Sequence, residues 1–114
     1  MKTIQEIQDE IKSCFQTIKN YKNAFNNKKI PEDVLQSVVL ENESMILSLN
    51  LALEMTAEQE IRNKIKDLDG DENVIRDSYK QGEIDRQVFL SKLLQNNSQI
   101  SALKWVLGEN DRFD

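Results

Sequence analysis

The sequence predicts an all-α protein, an antiparallel helical bundle of three long helices plus one short helix with coiled-coil-like packing. The chain opens on a heptad pattern, and such a pattern places its apolar residues on one stripe of a helix. The members of this stripe are Ile4, Ile7, Ile11, Cys14, Ile18, Tyr21 and Phe25. Long amphipathic segments follow, and three glycines with one proline in 114 residues leave few breaks for a fold of many strands.

The first helix is expected over residues 3–26. It ends where Asn26, Asn27 and two lysines provide residues that tolerate turn conformations and complement a helix C-terminus. Cys14 is the only cysteine and lies within the apolar stripe. We therefore expect it to pack in the core, as buried thiols usually do, rather than to carry redox or catalytic chemistry.

Pro31 marks the start of the second helix, because proline suits the first helical position. The apolar periodicity then predicts a helix over residues 31–68, about 38 residues and roughly 57 Å long. A break near residue 55 is the alternative, because Thr56-Ala57-Glu58-Gln59 has the pattern of a capping box. Strong helix formers around this point slightly favour the continuous helix.

The last part of the chain is divided by glycines. Residues 69–71 are expected to form a turn, followed by a short helix over 72–80. Asp85 is the candidate N-cap of the final helix, which is expected over 86–107 before Gly108 ends it. Residues 109–114 form a polar tail that is expected to fray. We expect one helical domain over residues 1–114, with no internal repeat.

Few residues in this chain are suited to chemistry. The absence of histidine removes the commonest general base and metal ligand. The acidic stretch 67–72 invites comparison with a calcium loop, but the sixth position holds Glu72 instead of glycine and the twelfth holds Ser78 instead of glutamate. An inter-helix turn exposed to water explains the stretch better. We expect no enzymatic activity, no cofactor and no metal.

The second helix carries two apolar stripes. The main stripe is wide enough for a bundle core and consists of Val34, Leu35, Val38, Val39, Met45, Ile46, Leu49, Ala52 and Leu53. Leu40, Leu47 and Leu51 form a narrower second stripe outside it. Soluble monomers seldom expose such a row, so either another helix of the chain or another chain should cover it. These three leucines are the candidate protein interface, which a two-fold dimer would cover with a single self-pairing patch.

A basic patch lies at the end of the first helix. Its four lysines, Lys19, Lys22, Lys28 and Lys29, are interleaved with aromatic and asparagine side chains, a combination that can contact phosphates and stack on bases. Lysines near a helix C-terminus are also expected from the helix dipole alone. A net charge of -5 argues against a surface devoted to nucleic acid. Nucleic acid is therefore the less favoured partner.

Three asparagines, Asn42, Asn96 and Asn97, fall within apolar stripes. A buried asparagine is costly unless its amide is hydrogen-bonded, and a satisfied one can fix the register of packed helices. Each amide could instead lie at the edge of its stripe in contact with water. The sequence favours neither alternative.

The chain is expected to be cytoplasmic, because it lacks both the roughly 20-residue apolar run of a membrane span and the apolar stretch of a secretory signal. The segment Ile100–Glu109 resembles the ending of some small helical proteins of bacteria and their phages. That resemblance implies a bacterial or phage accessory protein. A phage or mobile-element inhibitor that binds a host protein would be one form of a protein-binding module. We expect a non-enzymatic protein-protein interaction module that self-associates as a homodimer, with a small nucleic-acid-associated regulator as the alternative.

Overall fold

The computed structural model describes residues 1–55 and 57–110. Within them every regular element is a helix, and the helices pack against each other, which confirms the all-α prediction. The helices are α1 (Ile4–Asn26), α2 (Glu32–Glu54), α3 (Glu58–Lys80) and α4 (Arg86–Val106). Each contains 21 or 23 residues, so the expected set of three long helices and a short one is replaced by four of nearly equal length.

The continuous helix expected over 31–68 is wrong, and the alternative break near residue 55 is right. Helix α2 ends at Glu54, and Met55 has an extended backbone with φ -87° and ψ 129°. Pro31 stands at the N-cap, one position before the helix. The expected capping box rests on Thr56, which lies outside the described residues.

The turn expected at 69–71 and the short helix expected over 72–80 are also wrong, because α3 runs through both. Gly70 lies inside this helix without a positive φ. A glycine in a helix interior costs only about 0.5–1 kcal/mol relative to alanine, and burial of Ile61 and Leu68 on the inner side of α3 outweighs that cost. Ile75 and Tyr79 of this helix are half-buried, whereas Val74 is exposed.

The main helix contacts run in the order α1, α2, α4, α3. Helices α2 and α4 form the central pair, while α1 packs against α2 and α3 packs against α4. The arrangement is flat, with extents of 41 × 40 × 22 Å. The main-chain N–H of Lys2 donates to the Val106 carbonyl at 2.7 Å, which holds the start of α1 beside the end of α4.

The chain contains an internal repeat, contrary to expectation. A shift of 54 residues superimposes residues 4–53, repeat one, on residues 58–107, repeat two, without a gap. Positions identical in both repeats are, in repeat-one numbers, Gln5, Glu6, Ile7, Ile11, Lys12, Ile30, Val34, Ser37, Leu40, Asn42, Ser44, Ile46, Leu49 and Leu53. Burial is also repeated where identity is lost, since Cys14 and its counterpart Leu68 are both buried. The sequence therefore encodes one two-helix unit twice.

Both loops inside the repeats close in the same way. After α1, the N–H of Lys29 donates to the Ala24 carbonyl at 2.8 Å, and after α3 the N–H of Glu83 donates to the Ser78 carbonyl at 2.9 Å. These are Schellman bonds, which need a left-handed residue just before the donor. Gly82 meets that need at φ 75°, and Lys28 adopts φ 60° at the equivalent position.

The core lies at one end of the repeats. The fully buried residues come from the first half of α1 and α3 and the second half of α2 and α4, and include Cys14, Leu49, Ile61, Leu103 and Val106. The heptad stripe of α1 is buried only in its middle, because Ile4 and Phe25 at its ends are exposed. A straight helix drifts by about 20° per heptad, which turns the ends of a long stripe away from one neighbour.

Candidate interaction groove

Helices α2 and α4 pack against each other, and the second half of each carries a row of short side chains. Every fourth position carries one, and the two series are equivalent in the repeats: Ser44, Ser48 and Ala52 in α2, and Ser98, Ala102 and Val106 in α4. All six are buried. Small side chains let helix backbones pack closely. The Ser44 hydroxyl donates to the Leu40 carbonyl at 2.8 Å, so its burial leaves no unpaired donor.

A groove of about 490 Å³ separates the first halves of the same two helices. It is lined by Asp33, Gln36, Ser37 and Leu40 of α2 and by Arg86, Gln87, Leu90, Ser91 and Leu94 of α4. Val34 and its counterpart Val88 in the first halves are 38% and 39% exposed, whereas Leu49 and Leu103 in the second halves are fully buried. The first halves of the two helices thus border the groove, and their second halves contribute to the core.

The walls of the groove differ in charge and in apolar exposure. Helix α2 contains five acidic residues and no lysine or arginine, whereas α4 contains three basic residues and no aspartate or glutamate. Among the residues that line the groove, Asp33 on the α2 wall and Arg86 on the α4 wall are the charged ones. Leu90 is 49% exposed, and its counterpart in repeat one is the polar Gln36. The two walls thus have equivalent positions in the repeats, but the α4 wall differs from the α2 wall by an exposed leucine and a positive charge.

The three candidate interface leucines are divided between two clefts. Leu40 lines the groove between α2 and α4. Leu47 and Leu51 line a different cleft farther along α2, beside Lys64 and Gln99. Leu47 is 61% exposed, whereas Leu51 is half-buried. The structure therefore brings Leu47 and Leu51 together and joins Leu40 to residues of α4.

The four lysines of the basic patch are all exposed. Lys28 and Lys29 line a shallow cleft with Phe25 and Pro31, while Lys19 and Lys22 lie earlier on α1. Phe15 is 57% exposed and precedes Lys19 by one helical turn. Its counterpart in repeat two is Asp69, so an exposed aromatic ring beside lysines belongs to repeat one alone.

The buried asparagines resolve one of the alternatives that the sequence left open. Asn42 and Asn96 are both buried, and each amide donates to a main-chain carbonyl, Asn42 Nδ2 to Val38 at 2.9 Å and Asn96 Nδ2 to Leu68 at 2.8 Å. Asn97 is exposed. The first two asparagines are thus satisfied polar groups of the core, and the third lies at the surface.

Ionisable groups with shifted pKa values lie near helix starts, away from the groove. The Glu6 carboxylate accepts a hydrogen bond from the Thr3 main-chain N–H at 3.1 Å. This bond, together with a hydrogen bond to the Thr3 side chain, lowers the pKa of the Glu6 carboxyl group. Hydrogen bonds to Glu58 and Glu109 raise the pKa of Arg62. The Glu6 shift thus arises from the cap of α1, and the Arg62 shift arises from its hydrogen bonds within α3 and to the segment after α4.

The remaining expectations concern metal sites and membranes. Within residues 1–55 and 57–110, histidine, cysteine, aspartate and glutamate side chains nowhere form a group of three that could hold a metal ion. None of the helices in the same part of the chain has the length and apolarity needed to cross a bilayer. Cys14 is fully buried, as its place in the apolar stripe predicts.

Sequence reasoning missed the α4 wall of the groove. Leu90 falls within the apolar periodicity of the last helix, which predicts burial, yet nearly half of its surface is exposed. The missed signal was the 54-residue repeat, which aligns Leu40 with Leu94 and Ser37 with Ser91. Comparison with known proteins adds no further guide, since no protein-family model, curated protein or solved structure matches the chain.

Proposed function

We propose that this chain is a non-enzymatic helical protein-protein interaction module that self-associates. The observation that carries the proposal is the open groove between α2 and α4, with Leu40 and Leu94 in its lining and the half-exposed Leu90 on one wall. Exposed apolar side chains beside polar ones mark surfaces that bind other proteins. In this proposal each repeat is an antiparallel helix pair with coiled-coil-like packing, and both repeats form one domain.

The composition of the chain supports a binding role over catalysis. The chain has no histidine, its only cysteine is buried, and the groove is lined by apolar, amide and hydroxyl side chains with one charge of each sign at its end. Such a surface suits an amphipathic helix, whose apolar face fits a groove between two helices. If the chain is a bacterial or phage accessory protein, a helix of a host protein would bind in the same groove.

Photo-crosslinking in the native host tests this proposal. A benzoylphenylalanine placed at Ser91, inside the groove, should yield discrete protein adducts. The same group at Asn73, an exposed residue of α3, is the matched control and should yield none. If position 91 yields no protein adduct, or only the adducts that position 73 also yields, the groove is not a protein-binding surface.

Binding of nucleic acid is the second candidate function, and the exposed Phe15 one turn before Lys19 is the observation that favours it. An aromatic ring beside lysines can stack on a base while the ammonium groups contact phosphates. Fluorescence anisotropy with a single-stranded oligonucleotide tests it. Salt-dependent micromolar binding that is lost when Lys19, Lys22, Lys28 and Lys29 are replaced by glutamate would support this candidate, whereas no binding at physiological salt would remove it.

A further inference from the structure

We infer that a second copy of this chain covers the groove, related to the first by a two-fold axis that runs along the groove. The inference rests on the proposed function and specifies its partner and geometry. In this arrangement the α2 wall of each copy faces the α4 wall of the other. A two-fold interface is self-complementary, so each contact occurs twice.

Charge complementarity selects this axis. Asp33 is the charged residue of the α2 wall and Arg86 is that of the α4 wall, so an axis along the groove places opposite charges against each other in both halves of the interface. An axis across the groove would place α2 against α2 and α4 against α4, and neither Asp33 nor Arg86 would then face an opposite charge. Pairing of opposite charges favours the first arrangement and contributes specificity.

The wall charges remain available for such a contact. Three ion pairs on or beside α3 join Arg62 to Glu58 and Glu109 and join Arg76 to Glu72. Asp33 and Arg86 take part in none of these three pairs, and both are exposed at the mouth of the groove. A second copy would bring the Asp33 carboxylate of one chain to the Arg86 guanidinium of the other.

The apolar contact follows the same symmetry. Leu90 stands on the α4 wall, and the facing α2 wall of a second copy would present Gln36 and Leu40 to it. Burial of a half-exposed leucine in each copy supplies the hydrophobic contribution, while the charges fix the orientation. Leu90 and Gln36 are equivalent positions of the two repeats. Because one is apolar and the other polar, each copy contributes one exposed leucine, and the α2 wall of the other copy covers it.

Charge reversal with mixing tests the inference on the full-length chain by native mass spectrometry. Asp33→Lys alone should abolish most of the dimer, because the new lysine would face Arg86 in both contacts. Arg86→Glu alone should do the same, because the new glutamate would face Asp33. We expect each single change to weaken dimerisation by about 10–100-fold. The same reversals on α3, Asp67→Lys and Arg76→Glu, are controls and should leave the dimer intact.

An equimolar mixture of the Asp33→Lys and Arg86→Glu chains should form a heterodimer, because every contact then joins opposite charges. The double variant should form a homodimer for the same reason. Leu90→Gln, which installs the residue that repeat one carries, should weaken the dimer at unchanged helicity by circular dichroism. Helicity is measured for every variant, so that a variant that has failed to fold is recognised. If a charge-reversal variant fails to fold, the effect of Leu90→Gln on dimerisation tests the inference in its place.

Two outcomes would overturn the inference. If Asp33→Lys pairs with the unmodified chain in preference to Arg86→Glu, like walls face each other and the axis is wrong. If the purified, folded chain is monomeric at every concentration, the occupant is not a second copy. In that second case a protein adduct from position 91 in cells would leave the interaction module standing with a different partner, whereas no adduct would remove both proposals.

Discussion

Asn42 and Asn96 stand at the same position of the two repeats, yet their amides donate to carbonyls on different elements. The Asn42 amide bonds Val38 within its own helix α2, whereas the Asn96 amide reaches from α4 to Leu68 of α3 at 2.8 Å. In repeat two this asparagine therefore forms a buried hydrogen bond between the two helices, α4 and α3. In repeat one the equivalent asparagine forms its hydrogen bond within α2. The two repeats share the residue and its burial but not its hydrogen-bond partner.

Asn96→Ala should destabilise the protein by about 1–3 kcal/mol, because it removes a buried hydrogen bond between α4 and α3 and leaves a small cavity. Asn97→Ala is the matched control, and this exposed position should change the free energy of unfolding by less than about 0.5 kcal/mol. Urea denaturation measures both values. Equal effects of the two substitutions would mean that the Asn96 amide does not support the core.

Gly70→Ala should stabilise the protein by about 0.5–1 kcal/mol, because alanine favours a helix interior and an added Cβ meets no atom within 4 Å. Gly82→Ala provides the contrast, since a residue at φ 75° disfavours a Cβ and this change should destabilise. Thermal denaturation distinguishes them. Destabilisation by Gly70→Ala would show that residues 69–71 form a turn, as the sequence pattern suggested, instead of the middle of α3.

Ala102→Leu should destabilise by about 1–3 kcal/mol, because the extra volume enters the buried core to which the second halves of α2 and α4 contribute. Ala102 is fully buried within the stripe of small residues. Lys92→Leu, on the exposed side of the same helix, controls for the change in hydrophobicity. The free energy of unfolding from denaturant curves checks the pair, and tolerance of leucine at position 102 would argue against tight packing of the core around Ala102.

Acidification should weaken the start of α1. The pKa of the Glu6 carboxyl group is lowered below its ordinary value of 4.5 by its bonds with Thr3, so this carboxylate contributes stability at neutral pH. That contribution is complete above pH 4.5 and is lost as the pH falls through the lowered folded value. Thermal denaturation of the native chain and Glu6→Gln should therefore differ at neutral pH and converge in acid. The same change at Glu43, in the middle of α2, is the control.

The sequence predicted the helical class and most helix ends, because local signals determine them. Asp85 caps α4 as expected, with its carboxylate accepting from the Val88 N–H at 2.9 Å. Tertiary packing decided the rest. Gly70 resembles a turn residue locally, but burial of Leu68 keeps α3 helical through it. The groove could not be located from one helix, because its second wall depends on where α4 packs.

The mass of the purified chain in solution tests the central claim, self-association, most directly. Sedimentation equilibrium of the unmodified protein over a range of concentrations should give a mass approaching twice 13.3 kDa as concentration rises. A folded protein that stays at 13.3 kDa across the whole range would contradict self-association.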